Sequence, residues 1–192
     1  MPLQNRVDPF SEIHAVPQRG AWMGNRGILH DEARRVRRFQ ATRRWIICEL
    51  EYKGIRRPVM EPSRYTELFF LDEATGFAAG HRPCHFCRRD AAREFLRLAG
   101  APSLAELDKQ LHQERMGSRL LDGDWRELPN GAMIGSMGRA YLVFDAALHR
   151  WSFEGYRLVD SDEHLTDVRL LTPPTTVGVL RAGYSVQIGL GH

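Results

Sequence analysis

The chain has 192 residues, 43% of them hydrophobic and 27% charged, and its 27 basic and 24 acidic side chains leave a formal charge of +3. That is ample material for a packed core, and no apolar run approaches the roughly 18 residues that a membrane-spanning helix needs. The first residues also lack the basic start and long apolar stretch of a secretory signal, so the composition predicts a soluble, cytoplasmic domain with no membrane partner.

Three cysteines are too few for a disulfide-stapled scaffold and favour metal over disulfide. All the basic residues except Lys53 and Lys109 are arginine, whose planar fork suits phosphate. A compositional bias of the genome produces the same excess with no functional cause.

Taken in chain order, Asn5 to Asp31 is rich in Gly, Pro and Arg, lacks sustained periodicity, and reads as an irregular arm. Asp31 to Arg44 carries Arg34, Arg35, Arg37, Arg38, Arg43 and Arg44, with Val36 and Phe39 placed to anchor one face of a short helix. Trp45 to Tyr52 is an apolar, β-branched and aromatic strand, and Lys53-Gly54 turns it into a hairpin that returns through Ile55 to Met60. Tyr65 to Leu71 is the next strand. Asp72 caps a short helix through Ala79 that Gly80 ends.

Helical spacing resumes over Arg88 to Ala99, with Ala92, Phe95, Leu96 and Ala99 on one face. A further helix runs from a capping box at Ser103 to about Met116. After Leu128 turn signals alternate with short strands (Ala132 to Ile134, Ala140 to Phe144, Leu148 to Phe153), which predicts a small β-meander. Val168 to Leu171 adds a short strand, and Thr175 to Ala182 a final helix. The expected fold is α+β: a hairpin and a strand packed on helices around a zinc knuckle, with a β-rich C-terminal subdomain. The corresponding segments are a basic N-terminal arm (1–44), an α/β zinc-knuckle core (45–116) and the β-rich part of the same domain (117–192).

The strongest chemical signal is the run Gly80-His81-Arg82-Pro83-Cys84-His85-Phe86-Cys87-Arg88-Arg89. Two thiolates separated by two residues face the same side of a turn and supply half of a tetrahedral site. A helix starting near Arg88, with Arg82, Arg88 and Arg89 close by, favours the deprotonated sulfurs. The spacing predicts zinc bound by Cys84 and Cys87, completed by Cys48 and by a histidine. His81 is preferred, because His85 lies inside the knuckle and His30 is remote. The competing reading makes Cys48 a small buried hydrophobe and the CxxC a reduced turn.

The stretch LFFLDEATGFAAGHRPCHFCRR, Leu68 to Arg89, resembles the second half of the metal-binding domain of the Ada DNA-repair proteins. There a similar strand, helix and Cys-x-x-Cys run supplies two of four zinc cysteines. The resemblance implies that Cys84 and Cys87 are zinc ligands and that the protein works near nucleic acid. The family's first cysteine pair is matched here by Cys48 alone, so a four-cysteine set within the chain is impossible. The whole chain also resembles a group of bacterial proteins sharing an MGNRG-type N-terminal segment, which implies an architecture and no activity.

Two functional expectations follow. One is a DNA- or RNA-associated zinc protein whose Arg34, Arg35, Arg37, Arg38, Arg82, Arg88 and Arg89 face phosphate. The other is an enzyme: a metal-dependent hydrolase or nuclease using His30, Asp31 and Glu32, or a methyl acceptor using Cys48. Walker A, Rossmann, GxSxG and HExxH motifs are all missing, which moves weight from enzyme to binding protein.

Overall fold

The protein is α+β, with four α-helices and two sheets among the described residues. Its computed structural model describes residues 1–54, 58–117, 120–160 and 164–190. Six short strands form the first sheet: β1 (Arg6–Val7), β2 (Ile13–His14), β3 (Trp22–Asn25), β4 (Ile46–Cys48), β5 (Leu68–Phe70) and β6 (Arg82–Pro83), in the order β2-β1-β5-β3-β4-β6. The sheet is mixed, since β1 runs parallel to β5 and β4 parallel to β6 while the remaining pairs are antiparallel.

Residues 1–44 therefore supply half of this sheet and are not an arm outside it. Strands of two to four residues are too short to show alternation in the sequence. The helix expected over Asp31 to Arg44 does not form. Asp31 Oδ1 instead accepts from the Arg35 amide at 2.9 Å, Arg34 adopts φ 59°, and His30 bridges Val36. Such an aspartate offers the backbone a turn in competition with a helix. The expected hairpin is also replaced. Lys53 and Gly54 do turn, at φ 53° and 67°, but β4 pairs with β3 and β6, and residues 58–60 form no strand. Positions 55–57 of the expected return strand lie outside the described residues.

Helix α1 (Glu73–Ala78) joins the two halves. Asp72 caps it, accepting from the Thr75 amide at 2.8 Å, and Gly80 leaves it at φ 84°, in the left-handed region that glycine occupies without penalty. All six helical residues are buried. Phe77 enters the main core with Ile47, Phe70, Phe95 and Tyr184, while Ala74 and Ala78 meet Met133, Leu142 and Leu171 on the second sheet. Gly76 permits the close approach to β4, because a Cβ there would stand 2.6 Å from Ile47 Cδ1.

Helices α2 (Arg89–Leu98), α3 (Leu104–Met116) and α4 (Pro174–Arg181) cover the main core through Phe95, Leu107, Leu111, Val177 and Leu180. Ser103 caps α3 through the Glu106 amide.

The second sheet comprises β7 (Met133–Ser136), β8 (Arg139–Phe144), β9 (Ala147–Ser152), β10 (Gly155–Leu158) and β11 (Arg169–Leu170), all antiparallel in the order β10-β9-β8-β7-β11. Two-residue turns with positive φ, Met137-Gly138 and Asp145-Ala146, connect its central strands, the geometry that matches strand twist. The segment after α4 folds back over α1. Tyr184 and the Gln187 amide bond the buried Glu73 carboxylate at 3.0 Å each, and the Gly189 amide bonds Asp72 at 2.9 Å. No helix among the described residues is long and apolar enough to cross a membrane.

Candidate metal centre

Cys48 is the last residue of β4, and Cys84 directly follows β6. The parallel register sets Ile46 opposite Arg82 and Ile47 opposite Pro83, and the Cys84 amide donates to Ile47 O at 2.8 Å, so the two cysteines emerge side by side. From Cys84 the chain makes a tight turn into α2, closed by the Arg88 amide on Cys84 O at 3.0 Å, and the Phe86 amide points at Cys84 Sγ at 3.4 Å. That turn brings Cys87 round to the same side. The three sulfurs lie within 4.8 Å of one another, and all three cysteines are free thiols.

Zinc–sulfur bonds of about 2.3 Å in a tetrahedron set sulfurs about 3.8 Å apart, so the cluster has the spacing of ligands to one ion. A four-iron cluster places its thiolates on separate metals, further apart. Cys48 and Cys84 are 8% and 6% exposed. Their contact separates their acidities. Hydrogen bonds from the Cys48 and Cys87 thiols, helped by the Cys87 and Phe86 amides, hold Cys84 far below an ordinary thiol. Cys48 is pushed far up by hydrogen bonding to Cys84 and Cys87 and by burial. On Cys87 the Cys48 hydrogen bond lowers the pKa, but Cys84 and burial outweigh it and the net shift is upward; the Glu49 amide also points at this sulfur. Such a set stabilises one negative charge by itself and three once a cation replaces the shared protons.

All three cysteines line a cavity of about 190 Å³, walled also by Met23, Tyr52, Val59, Tyr65, Glu67 and Phe86. No sequence motif marks Tyr52, Tyr65 and Glu67 as site residues, because only the fold brings them beside the knuckle.

His81 does not join the cysteines, which corrects the expected fourth ligand. It is fully buried, accepts from Arg26 Nε at 3.2 Å through Nε2, and packs its ring against Trp45 and Phe70 with centroids at 5.1 and 4.6 Å. Side chains alternate along β6, so residues three apart leave on opposite faces. Its partner Arg26, also fully buried, lies over the Trp45 ring at 4.0 Å and has its pKa lowered to about 9, chiefly by burial and then by Arg115. His85 is exposed, and His30 is buried against Thr66 Oγ1 at 2.7 Å.

The arginines expected to face phosphate divide into two groups. Arg34, Arg35, Arg37, Arg38 and Arg89 are exposed, with Arg35 and Arg37 sharing Asp31 at 3.6 and 2.8 Å. Arg82 and Arg88 are structural, which corrects their expected role. The Arg82 side chain is 3% exposed and paired with Asp108, and the Arg88 side chain, 7% exposed, bonds Glu73 at 2.6 Å and stacks on Trp22 at 4.0 Å. His30, Asp31 and Glu32 do not converge. His30 is committed to Thr66, Asp31 turns to Arg35 and Arg37, and Glu32 is exposed.

Among the described residues a second cluster, Asp8, Glu12 and His14, also lies within 4.8 Å. It borders a larger cavity of about 590 Å³ between the β1–β2 hairpin and β8–β9. Asp8 is already saturated there: Oδ1 accepts from the Phe10 and Glu12 amides at 2.9 Å, and Oδ2 pairs with His14 Nε2 at 2.8 Å. These bonds shape the hairpin.

Comparison with known proteins adds no relative: no family model, no curated protein and no solved structure matches the chain.

Proposed function

We propose that this is a zinc protein in which Cys48, Cys84 and Cys87 hold one ion. The observation that carries the reading is the convergence of the three sulfurs within 4.8 Å at the junction of β4, β6 and α2. Cys84 and Cys87 are also the residues matched by the similarity of Leu68 to Arg89 to the Ada metal-binding domain. Zinc is favoured over harder cations because thiolate is a soft ligand and the sulfur spacing suits a tetrahedron. An ion there fastens β6, at the edge of the sheet, to its neighbour β4 and to the start of α2. The test is metal analysis of protein purified without added zinc. One zinc per chain, lost on Cys84→Ser or Cys87→Ser, is the expected result; a metal content near zero, or ready alkylation of all three thiols in the folded protein, overturns it.

A second reading, association with DNA or RNA, is supported by the exposure of Arg34, Arg35, Arg37 and Arg38 on one loop that ends in the half-exposed Phe39 ring. Cationic loops attract phosphate, and a neighbouring aromatic adds stacking. Binding should weaken steeply as salt rises, because counterions are released from the phosphates. Absence of binding at low salt overturns this reading.

A further inference from the structure

We infer that the fourth coordination position of this zinc centre is filled from outside the chain, by a small organic thiol bound in the adjoining cavity. The inference rests on the zinc reading and extends it from a fastening to a ligand-binding site. Its first support is topological. All three cysteines line one cavity, so among the described residues open space adjoins the three sulfurs.

The second support is the supply of donors. The chain has three cysteines and all three are in the cluster, so a fourth thiolate has to come from elsewhere. Among the described residues no histidine or carboxylate joins them. The two carboxylates on the cavity wall have other partners: Glu67 Oε2 accepts from the Met60 amide at 2.7 Å, and Glu49 lies 3.7 Å from Arg88.

The third is the chemistry of the walls. A centre with three thiolates prefers a soft fourth donor, and four sulfurs are a set that zinc commonly adopts. The Phe86 amide at 3.4 Å from Cys84 Sγ, and the Glu49 amide toward Cys87, spread the sulfur charge so that a further thiolate is tolerated. Met23, Val59 and Phe69, with the Tyr52–Phe86 ring pair at 5.2 Å, make the rest of the wall largely apolar. That lining suits an organic body and opposes a hydrated phosphate. The cavity, about 190 Å³, has room for a small organic group beside the three sulfurs.

The step is an acid–base exchange with no redox change. The S–H bond of the entering thiol breaks, its electron pair becomes the fourth bond to the metal, and one proton passes to solvent. A free thiol with a pKa of about 8.5 is mostly protonated at neutral pH, whereas a coordinated one is a thiolate. The site thus collects a small thiol in its nucleophilic form.

Cobalt-substituted protein tests this, since thiolate-to-cobalt charge transfer reports the number of sulfurs bound. Cobalt alone should give a spectrum of three thiolates. Titration with 2-mercaptoethanol should raise the charge-transfer absorbance saturably toward that of four thiolates, with one proton released per thiol bound, and inorganic phosphate should change nothing. Val59→Trp, which fills the cavity, should keep the cobalt spectrum and lose the response to thiol. Cobalt bound with a spectrum indifferent to mercaptoethanol overturns this inference while leaving the metal site intact. So does a response to imidazole in place of thiol, or extraction of the cobalt by mercaptoethanol. Failure to take up cobalt or zinc at all overturns the zinc reading itself.

Discussion

Arg82 and Asp108 form a two-pronged ion pair, Nε to Oδ1 and Nη2 to Oδ2 at 2.8 Å each, with only 3% of the arginine side chain exposed. The pair ties β6, the strand that delivers Cys84, to α3. Removing one partner leaves a buried charge with a single remaining acceptor, Pro83 O at 3.0 Å. Asp108→Ala is therefore expected to destabilise the protein by about 2 to 4 kcal/mol, measured as a lower urea midpoint with little change in slope. It should leave any salt-dependent nucleic-acid binding unaltered.

Metal removal should act on the same region. A chelator, or any one of Cys48→Ser, Cys84→Ser and Cys87→Ser, is expected to abolish stoichiometric zinc and lower the thermal midpoint, because binding to the folded state alone adds its free energy to folding. Thermal scans with and without chelator check this; equal midpoints in the wild type count against a bound ion. His81→Gln should keep full zinc content, since His81 lies on the opposite face of β6 from the cysteines.

His81 has a pH signature of its own. Burial first, then Arg26 and Arg115, hold its pKa well below the ordinary 6.5, so the folded protein keeps it neutral. Below that ordinary value the unfolded chain takes up a proton that the folded one refuses, and stability falls as pH drops, by up to about 1.4 kcal/mol per unit for one group. Denaturation curves between about pH 7.5 and about pH 5.5 should show this slope in the wild type and a shallower one in His81→Gln. The difference between the two proteins cancels the acid sensitivity of the thiolates. Parallel slopes would refute the assignment.

The exposed arginines make a separate prediction. Replacing Arg34 and Arg38 together by alanine should weaken low-salt binding to single-stranded DNA or RNA and flatten its salt dependence by roughly one unit for each phosphate no longer neutralised. Arg88→Ala should instead act on stability, because its side chain is locked between Glu73 and Trp22. A gel-shift or anisotropy titration at several salt concentrations separates the two effects.

By itself the sequence determined the features whose free energy is settled within a few residues. Asp72 and Gly80 bound α1, Ser103 starts α3, the face of Ala92 and Phe95 marks α2, and the turns at Gly131 and Gly138 mark where the first strands of the meander begin. The Cys84–Cys87 turn is local in the same sense. Only the tertiary structure decided which strands meet, because strands of two to four residues take their register from hydrogen bonds to distant partners. It is the parallel pairing of β4 with β6 that carries Cys48 to Cys84, and the alternation of side chains along β6 that turns His81 away from them. The arginines divide for the same reason. Whether a guanidinium meets solvent or a carboxylate depends on what the fold packs against it: Asp108 reaches Arg82 from another helix, while Arg34 and Arg38 lie on a loop in solvent.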